Sequence, residues 1–441
     1  MKIKKSLLFF ILFNFIIGAR LELVDLLLLT TVLVFGFSLF YLLFLKRTID
    51  KTAIKFLTIC MFSLSYNFLI SGLWGFKDTT GVEFSFKLIL YFIGAYFLIR
   101  LYKIIYTELF GVVLLRHIFW VGVVDSIFII VVYISDTLRH FLINNILAYS
   151  YAEHTRAFSG LRSFSMSVGV GADASVVLAI YFMIGLVLIL YNDNIKKNKV
   201  IGLILIFFAT ILTARTGLYI IIFFTPLYVI FSDVFFHKKK ISVYKMFKMV
   251  FNFLALASII LVVLSFTLSN NSIERFIGTT YGWAFEGFEN SSNAKFIGTK
   301  SMETVFNRMY FIPQNDFQVL FGNSNFGRRS EEFEYIRSDV GYVRLIHAIG
   351  IIGTILLFFP IIYMAYFSIK YKKYVLYSKI LLFIVCVNFI VNFKELFFMS
   401  RGSGSIIMLI FNIMIYQKVL EKRNFFSMDK HIIESIEGIY E

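Results

Sequence analysis

Long apolar stretches separated by short charged clusters follow one another along the whole chain. A helix of about 20 apolar residues spans the hydrocarbon core of a bilayer, and most of these stretches approach that length. They predict about twelve transmembrane helices, near 6–20, 26–45, 56–75, 83–99, 118–135, 172–191, 200–214, 217–235, 249–268, 341–366, 379–393 and 403–417. The basic start of the first stretch is also typical of a signal peptide, but Ile17-Gly18-Ala19 is a poor cleavage site, so we expect an uncleaved helix.

Composition supports the same class of protein. Of the 441 residues 59% are hydrophobic and 16% charged, whereas soluble chains are about 45–50% apolar and about 25% charged. The two cysteines lie inside apolar runs and the six histidines show no metal-ligand spacing. We therefore expect an all-α polytopic membrane protein, a single integral membrane domain over 1–441, with no metal and no cofactor.

Basic residues are distributed unequally between alternate loops. Loops on the side of the N-terminus hold 26 of the 43 Lys and Arg residues against nine acidic residues, and the other loops hold 17 of each kind. Cytoplasmic loops carry the basic excess, so both termini should be cytoplasmic. The net charge of +16 then belongs to the membrane orientation rather than to nucleic-acid binding. The outer side has a smaller periplasmic loop, 136–171, and a large one, 269–340.

Two segments must reverse direction at a polar tip on the outer side. The apolar stretch between Lys199 and Lys238 begins and ends on the inner side, and its polar interruption is Thr213-Ala214-Arg215-Thr216-Gly217. The stretch between Lys379 and Lys418 repeats the pattern, with Lys394, Glu395 and Arg401 near its tip. An arginine at membrane depth is costly and by default indicates function, although a snorkelling anchor is the alternative for Arg215.

The outer side uses mainly arginine where the inner side uses mainly lysine. Planar guanidinium groups bind phosphate through two parallel hydrogen bonds, so this choice is typical of a site for a lipid-linked phosphate. The alternative is that these arginines pair with loop carboxylates such as Glu331, Glu332 and Glu334. The smaller loop holds Arg139, Arg156 and Arg162, and the large loop and its exit hold Arg275, Arg308, Arg328, Arg329, Arg337 and Arg344.

Three short motifs resemble the Wzy family of O-antigen and capsule polymerases, within the wider group that contains the O-antigen ligases. The first is Arg156-Ala-Phe-Ser-Gly160-Leu-Arg162, similar to the arginine-bearing outer loop of the family, and the second is Thr213-Ala-Arg215-Thr-Gly217, similar to its hairpin tip. The third runs from Leu320-Phe-Gly322 through Ser338-Asp339-Val340-Gly341-Tyr342 to Gly350-Ile-Ile-Gly353. Their order and the topology resemble the family over nearly the whole chain.

The resemblance implies a metal-independent glycosyltransferase in the bacterial cytoplasmic (inner) membrane. It would transfer a growing glycan from polyprenyl diphosphate to an undecaprenyl-diphosphate-linked oligosaccharide, working among membrane lipids with a chain-length regulator and a flippase. Arg215, Arg156 and Arg162 would stabilise the departing diphosphate, and Asp339 would accept the proton of the acceptor hydroxyl. Candidate substrate-binding residues are Tyr342, Arg344, Arg328, His154 and His347.

Alternative functions remain open at this point. The ligase branch has His-Asn, nine residues and then Gly, whereas this chain has Asp339-Val340, nine residues and Gly350, which favours a polymerase. His347, eight residues beyond Asp339, is equally well explained as a core histidine. A lipid-linked oligosaccharide flippase would usually show internal repeats and polar residues at mid-membrane. A scaffold without enzymatic activity would need none of the outer arginines.

Overall fold

A computed structural model describes residues 2–19, 21, 24–44, 50–146, 163–166, 171–190, 197–236, 300–326, 336–398, 400 and 402–440. These residues form helices and connecting turns and contain no β-strand, so the all-α prediction is confirmed for the part described. The helices are α1 Lys2–Ile16, α2 Leu26–Phe44, α3 Lys51–Leu73, α4 Thr80–Tyr106, α5 Phe110–Ile134, α6 Asp136–Asn145, α7 Ala172–Leu190, α8 Lys197–Thr213, α9 Arg215–Tyr219, α10 Thr225–Phe236, α11 Lys300–Arg308, α12 Asp316–Phe321, α13 Gly341–Lys370, α14 Val375–Val391 and α15 Ser403–Tyr440. A 3-10 turn, Thr107–Leu109, joins α4 to α5, and a π-helical turn, Ile220–Phe224, joins α9 to α10.

Six helical segments among the described residues are long and apolar enough to cross a membrane: Lys51–Leu73, Thr80–Ile134, Ala172–Leu190, Arg215–Ser232, Gly341–Lys370 and Ser403–Glu421. Leu26–Phe37 and Val375–Val391 are shorter apolar helices. Helices overlie the predicted apolar ranges except 249–268, which lies outside the described residues. A membrane-protein architecture is thus supported, while the number of twelve spans stays a prediction.

Several helices are longer than the predicted spans. The predicted span 83–99 lies within α4, Thr80–Tyr106, and the predicted span 118–135 begins eight residues after α5 does. The reason is physical: an apolar run marks only the part of a helix in hydrocarbon, and the backbone ladder continues into the interface. Lys103 and Arg116 lie on such extensions.

Helices α4 and α5 form a hairpin, although a helical conformation continues through the turn that joins them. Tyr102 Oη and His117 Nδ1 lie 2.9 Å apart, whereas 15 residues of straight helix would separate them by about 22 Å. Thr107, with φ of 51°, makes the reversal. Lys5 Nζ lies 5.3 Å from the centre of the Tyr106 ring, so α1 begins at this turn.

Charged turns gather at one end of the bundle, which we call the lysine end. Lys418 Nζ lies 3.7 Å from Asp50 Oδ1, and Lys373 pairs with Glu421. The turn holding Lys5 and Tyr106 lies at the same end, because Asp50 also interacts electrostatically with Tyr96 in the last turns of α4. These are turns that the sequence predicts to share one face.

The opposite end of the bundle, which we call the arginine end, is the end at which α14 finishes and Arg215 lies. The 17 residues of α14 separate its two ends by about 25 Å. The turn after α3 lies there: Asp78 Oδ2 accepts from the Phe326 backbone N–H at 3.0 Å, and Ser324 Oγ donates to the Asp78 carbonyl at 2.8 Å. Part of the predicted large outer loop therefore packs on the arginine end.

Helix α13 is broken at Gly350, whose φ of 68° and ψ of −179° are not helical. The carbonyls freed by the break find new donors. Asn323 N donates to the His347 carbonyl at 2.8 Å, Ser324 N to the Ala348 carbonyl at 2.7 Å, and Tyr66 Oη to the Ile349 carbonyl at 3.1 Å. Unpaired backbone groups are costly in an apolar environment, so these bonds stabilise the break.

Candidate functional site at the hairpin tips

The first tip is the reversal between α8 and α9. Thr213 ends α8, and Ala214 is extended, with φ of −161° and ψ of 152°. Beyond it the chain returns toward the lysine end, because Tyr228 Oη donates to the carbonyl of Lys379, near the start of α14, at 2.7 Å. Arg215 therefore lies where the sequence interrupts its apolar run.

Arg215 is buried, with 8% of its surface exposed, and Thr216 is 9% exposed. The tip packs directly on the first turn of α7. Gly217 N donates to Ser175 Oγ at 3.0 Å, and a Cβ on Gly217 would lie 2.1 Å from the Ser175 carbonyl oxygen. Only glycine permits this approach, and the approach holds Arg215 in place.

The second tip follows α14 and meets the first. Lys394 Nζ donates to Thr216 Oγ1 at 2.8 Å. Glu395 is an electrostatic neighbour of Asp173, in the first turn of α7. Asp173 Oδ1 is buried and has no hydrogen-bond donor among the described residues. We call Asp173, Arg215, Thr216, Lys394 and Glu395 the tip cluster.

The start of α13 lies against the second tip. A Cβ on Gly341 would fall 2.5 Å from Asn392 Oδ1, and Tyr342 N donates to the Asn392 carbonyl at 3.2 Å. Tyr342 Oη donates to the Phe389 carbonyl at 3.0 Å. Tyr342 is thus tied to α14 at two points.

Asp339 is a surface residue just before the start of α13. Its side chain is 63% exposed and pairs with Arg344 at 3.3 Å, while Arg344 Nε donates to the Ser338 carbonyl at 2.6 Å. The pair orients the carboxylate at the start of α13. Because it is exposed, the ion pair contributes little to stability, typically below about 1 kcal/mol.

His347 lies further along α13, away from the rim. Its ring meets Phe311 edge-on with centroids 5.3 Å apart, and its Nε2 is buried without a hydrogen-bond partner in the described ranges. Its carbonyl belongs to the Gly350 break. The contacts show a packed histidine, and its substrate role stays a prediction.

Residues of the predicted large outer loop also contact the second tip. Tyr310 Oη donates to the Phe393 carbonyl, and partial burial raises the pKa of Tyr310. Ser338 Oγ donates to the Met309 carbonyl at 2.8 Å. The segment after α11 therefore covers the junction of α13 and α14.

Residues 163–166, near the end of the predicted smaller outer loop, pack beside the first tip. Ser163 N donates to the Leu212 carbonyl at 2.8 Å. Ser165 Oγ lies 2.8 and 3.0 Å from the two carboxylate oxygens of Asp125, and Met166 N lies 3.2 Å from Oδ1. The buried Asp125 carboxylate, the one acidic residue of its predicted span, anchors this segment.

The predicted site residues fall into three groups. Arg215 lies in the tip cluster, whereas Asp339, Tyr342, Arg344 and His347 lie on or just before the first turns of α13. Arg156, Arg162, His154 and Arg328 lie outside the described residues. Arg139 is separate: its guanidinium donates to the Val132 and Tyr133 carbonyls and caps the end of α5.

Part of the cluster does not stand out in the sequence. The pattern predicts Lys394 and Glu395 at a tip but does not connect them to Arg215 or to Asp173. An acidic residue opening an apolar helix is a common helix-start signal, so Asp173 carried no distinctive pattern. The described residues contain no group of three or more His, Cys, Asp or Glu side chains arranged to hold a metal ion.

The fold and the cluster define a class: a helical protein with apolar membrane-length helices and a mixed-charge cluster at one end of the bundle. Comparison of the chain with protein-family models, curated proteins and solved structures gives no match. A function for this class must therefore be argued from the site itself.

Proposed function

We propose that the protein is a polysaccharide polymerase of the Wzy type, acting on O-antigen or capsule. The observation that carries the proposal is Arg215, 8% exposed, held at a broken helix tip at the end of the bundle opposite the lysine-rich turns. A guanidinium fixed at the edge of an apolar bundle suits the phosphate of a lipid whose chain stays in the membrane.

In the proposed reaction, a sugar hydroxyl of one lipid-linked repeat unit attacks the anomeric carbon of a growing glycan. The bond from that carbon to the diphosphate oxygen breaks, and the diphosphate leaves with the electron pair. Arg215 stabilises the charge that develops on this oxygen because the guanidinium is already in position. Arg156 and Arg162 remain candidates for the same role.

The hydroxyl proton needs an acceptor. Asp339 is the proposed base, and its pairing with Arg344 at 3.3 Å supports the assignment by orienting the carboxylate at the rim. Tyr342, Arg344, Arg328, His154 and His347 are the proposed contacts to sugar and phosphate. The chemistry proposed for these side chains requires no metal ion.

The same proposal sets the orientation. The lysine end faces the cytoplasm by the positive-inside rule, with both termini there, and the tip cluster faces the periplasm. The substrates are undecaprenyl-diphosphate-linked oligosaccharides in the bacterial inner membrane, supplied by a flippase and limited in length by a chain-length regulator.

The test replaces Arg215 by Ala and by Lys in a strain whose own copy is deleted. Polysaccharide length is measured by gel electrophoresis and the protein is quantified in the membrane. We expect Arg215→Ala to abolish long chains at normal abundance and Arg215→Lys to retain only a fraction. The matched control is Arg116→Ala, an exposed arginine of α5 near the lysine end.

Other outcomes identify the alternatives. Normal long chains from Arg215→Ala would overturn the proposal. Polymer that accumulates on the polyprenyl diphosphate in the deletion strain, without transfer to lipid A-core, would indicate a ligase. Single repeat units retained at the cytoplasmic leaflet would indicate a flippase.

A further inference from the structure

Large apolar side chains are exposed on and just before α12, within the predicted large outer loop. The exposed members are Phe311, Ile312, Phe317 and Leu320, and Ile312 reaches 65% exposure. Exposed apolar side chains clustered in this way mark a surface that something apolar covers. We call residues 311–321 the α12 segment.

Two contacts with α13 fix how deep the α12 segment reaches. Gly322 ends α12, and a Cβ on it would fall 2.4 Å from the Ala348 carbonyl oxygen. The carbonyl of the next residue in α13 accepts from Tyr66 Oη, in α3, at 3.1 Å. Tyr66 lies 15 residues after Lys51 and seven before Leu73, so it is about 22 Å from the lysine end of α3 and about 10 Å from its other end. The α12 segment therefore reaches below the end of α3, beside a helix that is long and apolar enough to cross a membrane.

Helix α13 presents a row of exposed apolar side chains that begins beside these contacts. The row follows helical spacing along the membrane-length part of α13, and its members are Ile351, Ile355, Phe359, Ile362, Tyr366 and Ile369. On a helix that crosses a membrane, such a row faces lipid acyl chains. Since α12 ends against Ala348, three residues before the row starts, the α12 segment extends the same apolar surface toward the arginine end.

Main-chain donors at both ends of α12 have acceptors. Asn315 Oδ1 accepts from Phe317 N at 2.9 Å, and Gly322 N donates to the Gln318 carbonyl at 2.8 Å. The next two backbone N–H groups donate to carbonyls freed at the break in α13. Paired backbone together with exposed apolar side chains is the combination that a segment covered by lipid needs.

We infer that the α12 segment is inserted into the membrane, where acyl chains of the leaflet at the arginine end cover its apolar side chains. The inference concerns a lipid-binding surface and does not depend on the proposed polymerase reaction. Aromatic side chains such as Phe311 and Phe317 suit the boundary between headgroups and acyl chains.

The polar residues of the segment agree with this placement. Gln314, Asn315 and Asp316 are exposed at the start of α12, whereas Leu320 lies near its end, against α13. A carboxylate is costly in hydrocarbon, so the start of α12 lies at headgroup level and its end lies deeper. Insertion therefore predicts a difference in depth between Asp316 and Leu320, one helical turn apart.

Nitroxide labels on single cysteines test the inference on the full-length chain in phosphatidylcholine nanodiscs. The native Cys60 and Cys386 are first replaced by Ala. Oxygen concentrates among acyl chains and a nickel chelate stays in water, so the ratio of their collision rates with a label reports what covers it. The labelled variants are Ile312→Cys, Phe317→Cys, Leu320→Cys and Asp316→Cys.

Two matched controls set the scale. Ile355→Cys labels the exposed row of α13, and Lys372→Cys labels an exposed residue in the turn after α13, at the lysine end. We expect the oxygen-to-nickel ratio at Ile312, Phe317 and Leu320 to be several-fold above that at Lys372 and close to that at Ile355. The ratio at Asp316 should be lower than at Leu320.

A second measurement leaves the native cysteines in place. Leu320→Trp adds a fluorophore at an exposed position, and its added emission should be quenched by phosphatidylcholine brominated on its acyl chains but not by iodide in water. Size-exclusion chromatography and thermal unfolding check that each variant is folded.

Three results would overturn the inference. Ratios at Ile312, Phe317 and Leu320 equal to that at Lys372, or quenching of the added tryptophan by iodide, would place the segment in water. Low collision rates with both reagents would mean that protein, such as a second copy of this chain, covers the patch. A ratio at Asp316 above that at Leu320 would contradict the insertion depth.

Discussion

Gly350 lies against the backbone of Leu320, so closely that a Cβ on Gly350 would fall 2.2 Å from the Leu320 carbonyl oxygen. The contact joins the first and last parts of the third motif, which lie 30 residues apart in the sequence. Gly350 has a φ of 68° and a ψ of −179°, a backbone conformation that essentially only glycine adopts. The close contact with Leu320 and the backbone conformation therefore both require glycine at position 350.

Gly350→Ala should destabilise the protein by about 1–3 kcal/mol from backbone strain alone, with a further loss from the clash at Leu320. Thermal unfolding in detergent measures the effect. Gly75→Ala is the control, because Gly75 also has a φ of 68° but no atom within 4 Å of the added Cβ. Equal losses in the two variants would show that the contact with Leu320 contributes nothing.

Gly217→Ala should displace the first tip, because the added methyl cannot fit 2.1 Å from the Ser175 carbonyl oxygen. We expect loss of polymer formation and a lower unfolding temperature. Ser175→Ala removes the hydroxyl that accepts from Gly217 N and donates to the Ala172 carbonyl, without adding a clash, and should cost about 1–2 kcal/mol. Full activity of the Gly217→Ala variant would contradict the close packing of the first tip against Ser175.

Asp339→Asn should reduce the rate of chain growth by about 10²–10⁴-fold, the usual contribution of a general base, at unchanged membrane abundance. The exposed position of Asp339 means that the substitution does not disturb the core. Polymer length and rate are compared with those of the unmodified protein. Near-normal growth from Asp339→Asn would remove this residue from the mechanism.

Ser165→Ala should destabilise the packing of residues 163–166 against α5. The substitution removes a hydroxyl that lies within 3.0 Å of both oxygens of the buried Asp125 carboxylate. A buried carboxylate that loses a donor costs about 1–3 kcal/mol or more. Thermal unfolding tests this against Ser126→Ala, whose hydroxyl bonds only within α5, to the Gly122 carbonyl. A smaller loss for Ser165→Ala than for Ser126→Ala would argue against the anchor.

Hydrophobic pattern was enough to predict helical ranges because a bilayer, like an apolar core, accepts only backbone whose polar groups are internally paired. Arg215 stands out in the sequence for the same reason, because a charged side chain inside an apolar run is costly in a bilayer. The partnership of Lys394 with Thr216 could not be found this way, because it depends on how α14 and α9 pack around α7. No local pattern records a contact across 178 residues.

The break in α13 illustrates a second limit. Gly350 was noticed only within a motif, and a glycine in an apolar helix usually indicates close packing rather than a broken ladder. The break exists because the chain near Asn323 and Ser324 supplies replacement donors. Asn323 and Ser324 belong to a predicted loop, and the hydropathy pattern does not predict where a loop packs on the helix bundle.

The replacement donors at Asn323 and Ser324 are main-chain groups, and this has a consequence for how the outer surface can change. The break beyond the first turns of α13 is therefore held by a neighbouring stretch of backbone as well as by the Tyr66 hydroxyl. Exposed positions in that stretch, such as Phe317 and Leu320, can be replaced while the scaffold beneath keeps its angle. Variation of the exposed side chains is thereby separated from the backbone contacts that hold the break in α13.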